Sequence, residues 1–127
     1  MASAQAAIDI EKSPDEVWAV IGDFGGIDTW MPGVESCRLE GENRIIAMSG
    51  MEVTERLVST SDDTHTQTYS IVDGVPVEFH QATITVTPDG AGSKVTWDVE
   101  ARPDEMTDLM QGIYQQTLDA LKAKLDG

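Results

Sequence analysis

Residues 4–11 alternate, with Ala6, Ile8 and Ile10 on one side and Gln5, Asp9 and Glu11 mostly on the other. A period of two predicts a half-buried β-strand. Ser13-Pro14-Asp15-Glu16 then reads as a helix start. The serine can accept from first-turn amides, the proline sits where no N–H is needed, and the glutamate reaches back. Val17, Val20, Ile21 and Phe24 recur at helical spacing and form one buried stripe. Gly25-Gly26 is expected to end that helix, and a second short turn through 27–30 stops at Pro32-Gly33.

From 34 to 101 the pattern is β, punctuated by Gly41-Glu42-Asn43, Ser49-Gly50, Ser61-Asp62-Asp63, Asp73-Gly74 and Pro88-Asp89-Gly90. Turns this close together predict antiparallel hairpins, about seven strands with the first one included. After Pro103 a helical pattern runs to the end, with Asp104, Glu105 and Asp108 early and Lys122 and Lys124 late, as the helix dipole favours. Met106, Leu109, Met110, Ile113, Thr117, Leu121 and Lys124 or Leu125 share one face. A helix of about 22 residues spans about 33 Å, enough to cross a sheet. The expectation is one α+β domain over 1–127. In it a curved, roughly seven-stranded antiparallel sheet wraps a long C-terminal helix, and two short helices after the first strand plug one end. Gaps between such a sheet and its helix form pockets.

Composition narrows the partners. The 127 residues carry 8 basic and 23 acidic side chains, a net charge of −15. Such a surface repels phosphate backbones and anionic headgroups, which argues against nucleic acid and acidic membranes. No apolar run approaches the ~20 residues of a membrane span. The single Cys37 cannot form an internal disulfide and has no histidine near it, so it reads as an inert buried thiol. A cytoplasmic protein is expected. Two histidines and one cysteine offer no zinc set, and no phosphate-cradling, dinucleotide or nucleophile-elbow motif is present. No metal or cofactor is expected.

Strand parity then selects the inward side chains. Met51, Val53 and Leu57 share a face with Glu55; Tyr69 shares one with Ile71; Ala82, Ile84 and Val86 share one with His80; Val95, Trp97 and Val99 share another. Glu55 and His80 are therefore ionisable groups on apolar faces, on strands that flank the Tyr69 strand. Two readings stay open. In one they are an acid–base pair, with Tyr69 between them and burial moving both pKa values toward neutrality. In the other Glu55 holds ordered water and His80 sits at a partly wet rim. Trp18, Trp30 and Trp97 read as core or pocket wall, and Met106 and Met110 as either adaptable pocket surface or core filling.

The segment EVWAVIGDFGGIDTWMPGVESCRLEG resembles the opening of the START-like, helix-grip superfamily, and most of all its polyketide cyclase/dehydrase and lipid-transport group. VTERLVSTSDD with YSIV, the run ATITVTPDGAGSKVTWDVEARP, and the closing amphipathic helix follow in the order that group shows. The resemblance implies the helix-grip fold and an apolar ligand site. In hormone-receptor relatives, positions matching Glu55, Tyr69, Ile71, His80, Ala82, Leu109, Ile113 and Thr117 look toward the ligand, and Met31 matches another lining position. With Val53, Leu57 and Trp97 from parity, these make the candidate site. The short strands around 48–51 imply a small cavity.

Three functions are weighed. The first is binding or carriage of a small, mostly apolar molecule (lipid, aromatic or polyketide-like). The second is a cofactor-independent cyclase or dehydratase using Glu55, His80 and Tyr69. The third is an interaction module or homodimer formed through a strand edge or the helix.

Overall fold

The computed structural model describes residues 3–126. Tight turns fix the topology: β2 (Val34–Glu40), β3 (Asn43–Met48), β4 (Met51–Ser61), β5 (Thr66–Asp73), β6 (Phe79–Asp89) and β7 (Gly92–Arg102) pair in sequence order, all antiparallel. β1 (Ser3–Ile10) lies beside β7, so the seven-stranded sheet runs β1-β7-β6-β5-β4-β3-β2. α1 (Pro14–Ile21) and a 3-10 helix (Phe24–Thr29) carry the chain from one sheet edge to the other. α2 (Asp104–Asp126) closes the fold.

α1 starts with the anticipated capping box: Ser13 Oγ accepts from the Glu16 amide at 3.2 Å, and Glu16 Oε1 accepts from the Ser13 amide at 3.4 Å. Its end differs from the expectation. Gly22 is the cap, its N–H bonded to Trp18 O at 2.7 Å, and Gly25-Gly26 lie inside the 3-10 helix. The indole of Trp18 sets the stop. A Cβ at Gly22 would meet a Trp18 ring carbon at 2.6 Å.

α2 packs on β1 and β7 and seals the outer edge of the sheet. The Gln115 carboxamide takes both free backbone groups of Ala7, accepting from its N–H at 3.2 Å and donating to its C=O at 2.9 Å. Lys122 Nζ donates to Asp9 O at 2.7 Å. An edge strand covered this way offers no template for another chain. The buried face of α2 is rotated from the one the periodicity selects: Met110, Tyr114, Thr117, Leu118 and Leu121 are buried, whereas Leu109 and Ile113 are 55% and 40% exposed. The helix leans on β1 and β7, so its Leu109–Ile113 side looks toward the far half of the sheet.

That far half is curved by two register shifts. Thr54 pairs with Asp73 but Glu55 with Ile71, which leaves Val72 as an extra residue of β5; Leu57 pairs with Tyr69 but Ser59 with Thr68, which leaves Val58 extra in β4. Both valines point outward, 46% and 50% exposed. Such bulges bend a strand and re-aim its neighbours. Gly74 just beyond has φ +94°, and a Cβ there would clash with the Glu52 carbonyl oxygen and lie 2.9 Å from Val53 Cα. Gly74→Ala is expected to cost about 2 kcal/mol or more, read as a lower urea midpoint at unchanged slope.

Candidate functional site

Arg44 and Glu55 are directly opposed in the β3–β4 register, and both turn inward. Arg44 donates from Nε at 2.8 Å and from Nη2 at 2.6 Å, both to Glu55 Oε1, while Nη1 donates to Phe24 O at 3.0 Å. The guanidinium lies between two rings, 4.1 Å from the Phe24 centroid and 4.8 Å from that of Tyr69. Burial pushes the Glu55 carboxyl upward, while the Arg44 charge and its hydrogen bonds pull it back. With a permanent cation at 2.6 Å, the pair is ionic.

Glu55 Oε2 is different. Among the described residues nothing donates to it, yet it is not a sealed, unpartnered atom. It opens on a cavity of about 270 Å³. Val53 and Glu55 of β4 and Ile71 of β5 form the sheet side. Met106, Leu109, Met110, Ile113 and Tyr114 of α2 form the opposite side. Met31, the β3–β4 turn from Met48 to Met51, and Val75 close the ends. The hollow exists because α2 rests on β1 and β7 while the bulged strands curve away from it. Glu55 and Tyr114 are the ionisable groups of the wall among the described residues.

Behind the wall runs a second polar chain. The Ile71 amide donates to His80 Nδ1 at 3.1 Å, which leaves the ring proton on Nε2 to reach Tyr114 Oη at 3.0 Å. Trp97 Nε1 donates to Tyr69 Oη at 3.1 Å. Trp97 stacks on Tyr114 with centroids 4.0 Å apart and planes within 3°. Burial lowers His80 to about 4, so its imidazole is neutral near pH 7. Burial raises both tyrosines, and the Glu55 charge adds to the rise.

Met31, Val53, Glu55, Ile71, Leu109 and Ile113 therefore stand on the cavity wall. Tyr69, His80 and Trp97 lie one layer deeper, joined through Tyr114. Ala82 and Thr117 are buried away from the cavity, with Thr117 Oγ1 donating to Ile113 O, and Leu57 is half-buried outside it. His80 is 1% exposed, which removes the wet-rim position for it. Cys37 is half-buried, and burial raises its thiol. Met48, Ser49, Met51 and Val75 on the wall escaped the candidate site, and so did Arg44 and Tyr114, the two that carry its polar chemistry. Arg44 alternates with Ile46 along β3, and Tyr114 follows Met110 by one helical turn. Inward parity and helical spacing were the available signals.

A seven-stranded antiparallel sheet closed by one long C-terminal helix, with short helices after its first strand, defines a START-like helix-grip protein. The chain belongs to the polyketide cyclase/dehydrase and lipid transport family, whose match spans residues 1–126. It is similar to the protein XoxI from Bacillus cereus, with 32% identity and a TM-score of 0.93 over 98% of this chain and 96% of that one. The di-domain ARO/CYC BexL is 17% identical with a TM-score of 0.85, covering 99% of this chain and 47% of BexL. A START superfamily protein from Mycobacterium smegmatis is 11% identical with a TM-score of 0.77, over 99% and 98% of the two chains. The last two likenesses speak to fold alone. No curated protein matches. The family fits either ligand binding or a cyclase role. Among the described residues no helix is long and apolar enough to cross a membrane.

Proposed function

We propose that this protein binds or carries a small, neutral, mostly apolar molecule in the cavity between β4, β5 and α2, and that it does so in the cytosol. The single observation that carries the reading is Glu55: its Oε1 is taken by Arg44 while Oε2 opens on a mostly apolar hollow. A carboxylate oxygen in such a wall favours a ligand with an N–H or O–H donor. It disfavours a carboxylate head, because the Glu55 carboxylate on the wall repels a second anion and Arg44 is already paired with it. Free fatty acids are therefore poor ligands in a head-in pose.

A thermal-shift screen of neutral alcohols, phenols and NH-heterocycles against carboxylic acids of equal size tests this. At a free concentration about 100 times Kd, a true ligand stabilises the fold by about 2.7 kcal/mol. Glu55→Gln should abolish the preference for neutral donors over acids. A screen in which no neutral apolar compound raises Tm would remove the proposal.

Cofactor-free cyclisation or dehydration is the second reading, favoured by the family and by a carboxylate on the cavity wall. Binding is preferred over it because His80 has both ring nitrogens engaged and is not on the wall, so the acid–base pair does not flank one ligand.

A further inference from the structure

The described part of the chain contains five methionines, Met31, Met48, Met51, Met106 and Met110, and every one of them borders the cavity. They arrive from three separate places: the segment before β2, the β3–β4 turn, and the first turns of α2. Sequence neighbourhood cannot account for that convergence. Neither can ordinary core filling. Where the interior is solid it is built from Ile10, Ile84, Val95, Leu118 and Leu121, and Met110 alone among the described methionines is buried, at 5% exposure. The others are half-buried or, like Met51 at 50%, exposed; they border empty space rather than fill it.

Thioethers differ from alkyl groups in two ways that matter at a wall. They are polarizable and attract aromatic rings, most favourably at the ring edge, and their unbranched stems re-pack around ligands of different outline. The wall also carries the Glu55 carboxylate, whose Oε2 accepts no hydrogen bond from the described residues. The volume of about 270 Å³ equals roughly nine waters at about 30 Å³ each, which suits a ligand of about ten non-hydrogen atoms.

We infer that the ligand is a small planar aromatic molecule of one or two fused rings bearing one N–H or O–H group, its ring edges held by the methionine sulfurs and its donor on Glu55 Oε2. This inference rests on the neutral-ligand reading above and adds the aromatic requirement to it. An aliphatic molecule of the same outline would gain burial but not the sulfur contacts.

The test compares naphthol with decahydronaphthol, which share a skeleton, a hydroxyl and a count of non-hydrogen atoms but not a π-system. Affinities are measured by calorimetry on the wild-type protein and on the triple variant Met48→Leu, Met106→Leu, Met110→Leu, which keeps side-chain volume and apolarity while removing three sulfurs. Naphthol is expected to weaken by about tenfold and decahydronaphthol to stay within about twofold. Equal weakening of the two, or no weakening of naphthol, overturns the aromatic requirement while leaving the neutral-ligand reading in place. Failure of both compounds to bind the wild type overturns that reading and this one with it.

A second measurement does not depend on the variant folding. With isotope-labelled methionine methyl groups in the wild-type protein, ring currents from bound naphthol should move the signals of methionine methyls at the ring edge downfield, and decahydronaphthol should not. Identical responses to the two compounds would contradict the inference.

Discussion

Replacing Arg44 with alanine is expected to destabilise the fold by about 3–5 kcal/mol, the cost of leaving a buried carboxylate without its cation. Glu55 is 7% exposed, and Arg44 supplies both of its protein hydrogen bonds among the described residues. The same change strips the cation from between the Phe24 and Tyr69 rings and removes the donor to Phe24 O. Urea unfolding of the single variant and of the pair Arg44→Met with Glu55→Leu separates the causes. Swapping both charges for apolar groups of similar size should recover most of the loss, because neither desolvated charge then remains. A single variant within about 1 kcal/mol of wild type would mean that the pair is solvated and that Glu55 is not held at the cavity as described. The buried pair is a poor choice for stability alone. It fixes a carboxylate in an apolar wall with one oxygen turned to the hollow.

Acidification should destabilise the protein through His80, and the sign follows from the direction of its shift. The folded value is about 4, below the ordinary histidine value of about 6.5. Above pH 6.5 the ring is neutral in both states, and the full stability is present. As the pH falls, the unfolded chain takes up the proton first, so stability declines until the folded form titrates near pH 4. At about 1.4 kcal/mol for each pH unit between the two values, the loss totals about 3 kcal/mol. Glu55 acts oppositely, since a carboxyl raised by burial binds its proton in the folded state first. Urea midpoints of wild type and His80→Gln between pH 7.5 and 4 isolate the histidine, and their difference should narrow by about 3 kcal/mol on acidification. A pH-independent difference would mean that His80 is not the buried neutral imidazole hydrogen-bonded to Ile71 and Tyr114.

Most of the architecture could be read from period and punctuation. Ser13 and Glu16 announced α1, turn residues announced each hairpin, and the pattern after Pro103 announced α2. What local patterns could not carry was the tilt of α2. Its apolar residues occupy more than one face, and the choice of Tyr114 and Leu118 over Leu109 and Ile113 for burial is made by β1 and β7, more than a hundred residues earlier and a few residues before the helix. The stop of α1 at Gly22 was masked for a related reason. Gly25-Gly26 is the louder signal in the sequence, but the Trp18 indole leaves no room for a side chain at Gly22.

The site was half legible. Parity turned Glu55 inward correctly because the bulges at Val58 and Val72 lie outside the stretch from Met51 to Leu57, or on the partner strand. The same rule applied to β3 would have found Arg44, but an arginine next to Glu42-Asn43 at the start of a strand reads as a surface residue until its partner is known. His80 is different. Parity says that a side chain faces inward, and only packing says whether it meets a cavity or, as here, the back of Tyr114.

The central claim is a hollow beside Glu55 that accepts a neutral ligand between the bulged strands and α2. Intermolecular nuclear Overhauser effects in a methyl-labelled naphthol complex test it most directly. The account predicts cross-peaks from the ligand to Val53, Ile71 and Ile113. Cross-peaks confined to the outward-facing Val58 and Val72, or none under conditions where naphthol binds, would contradict it.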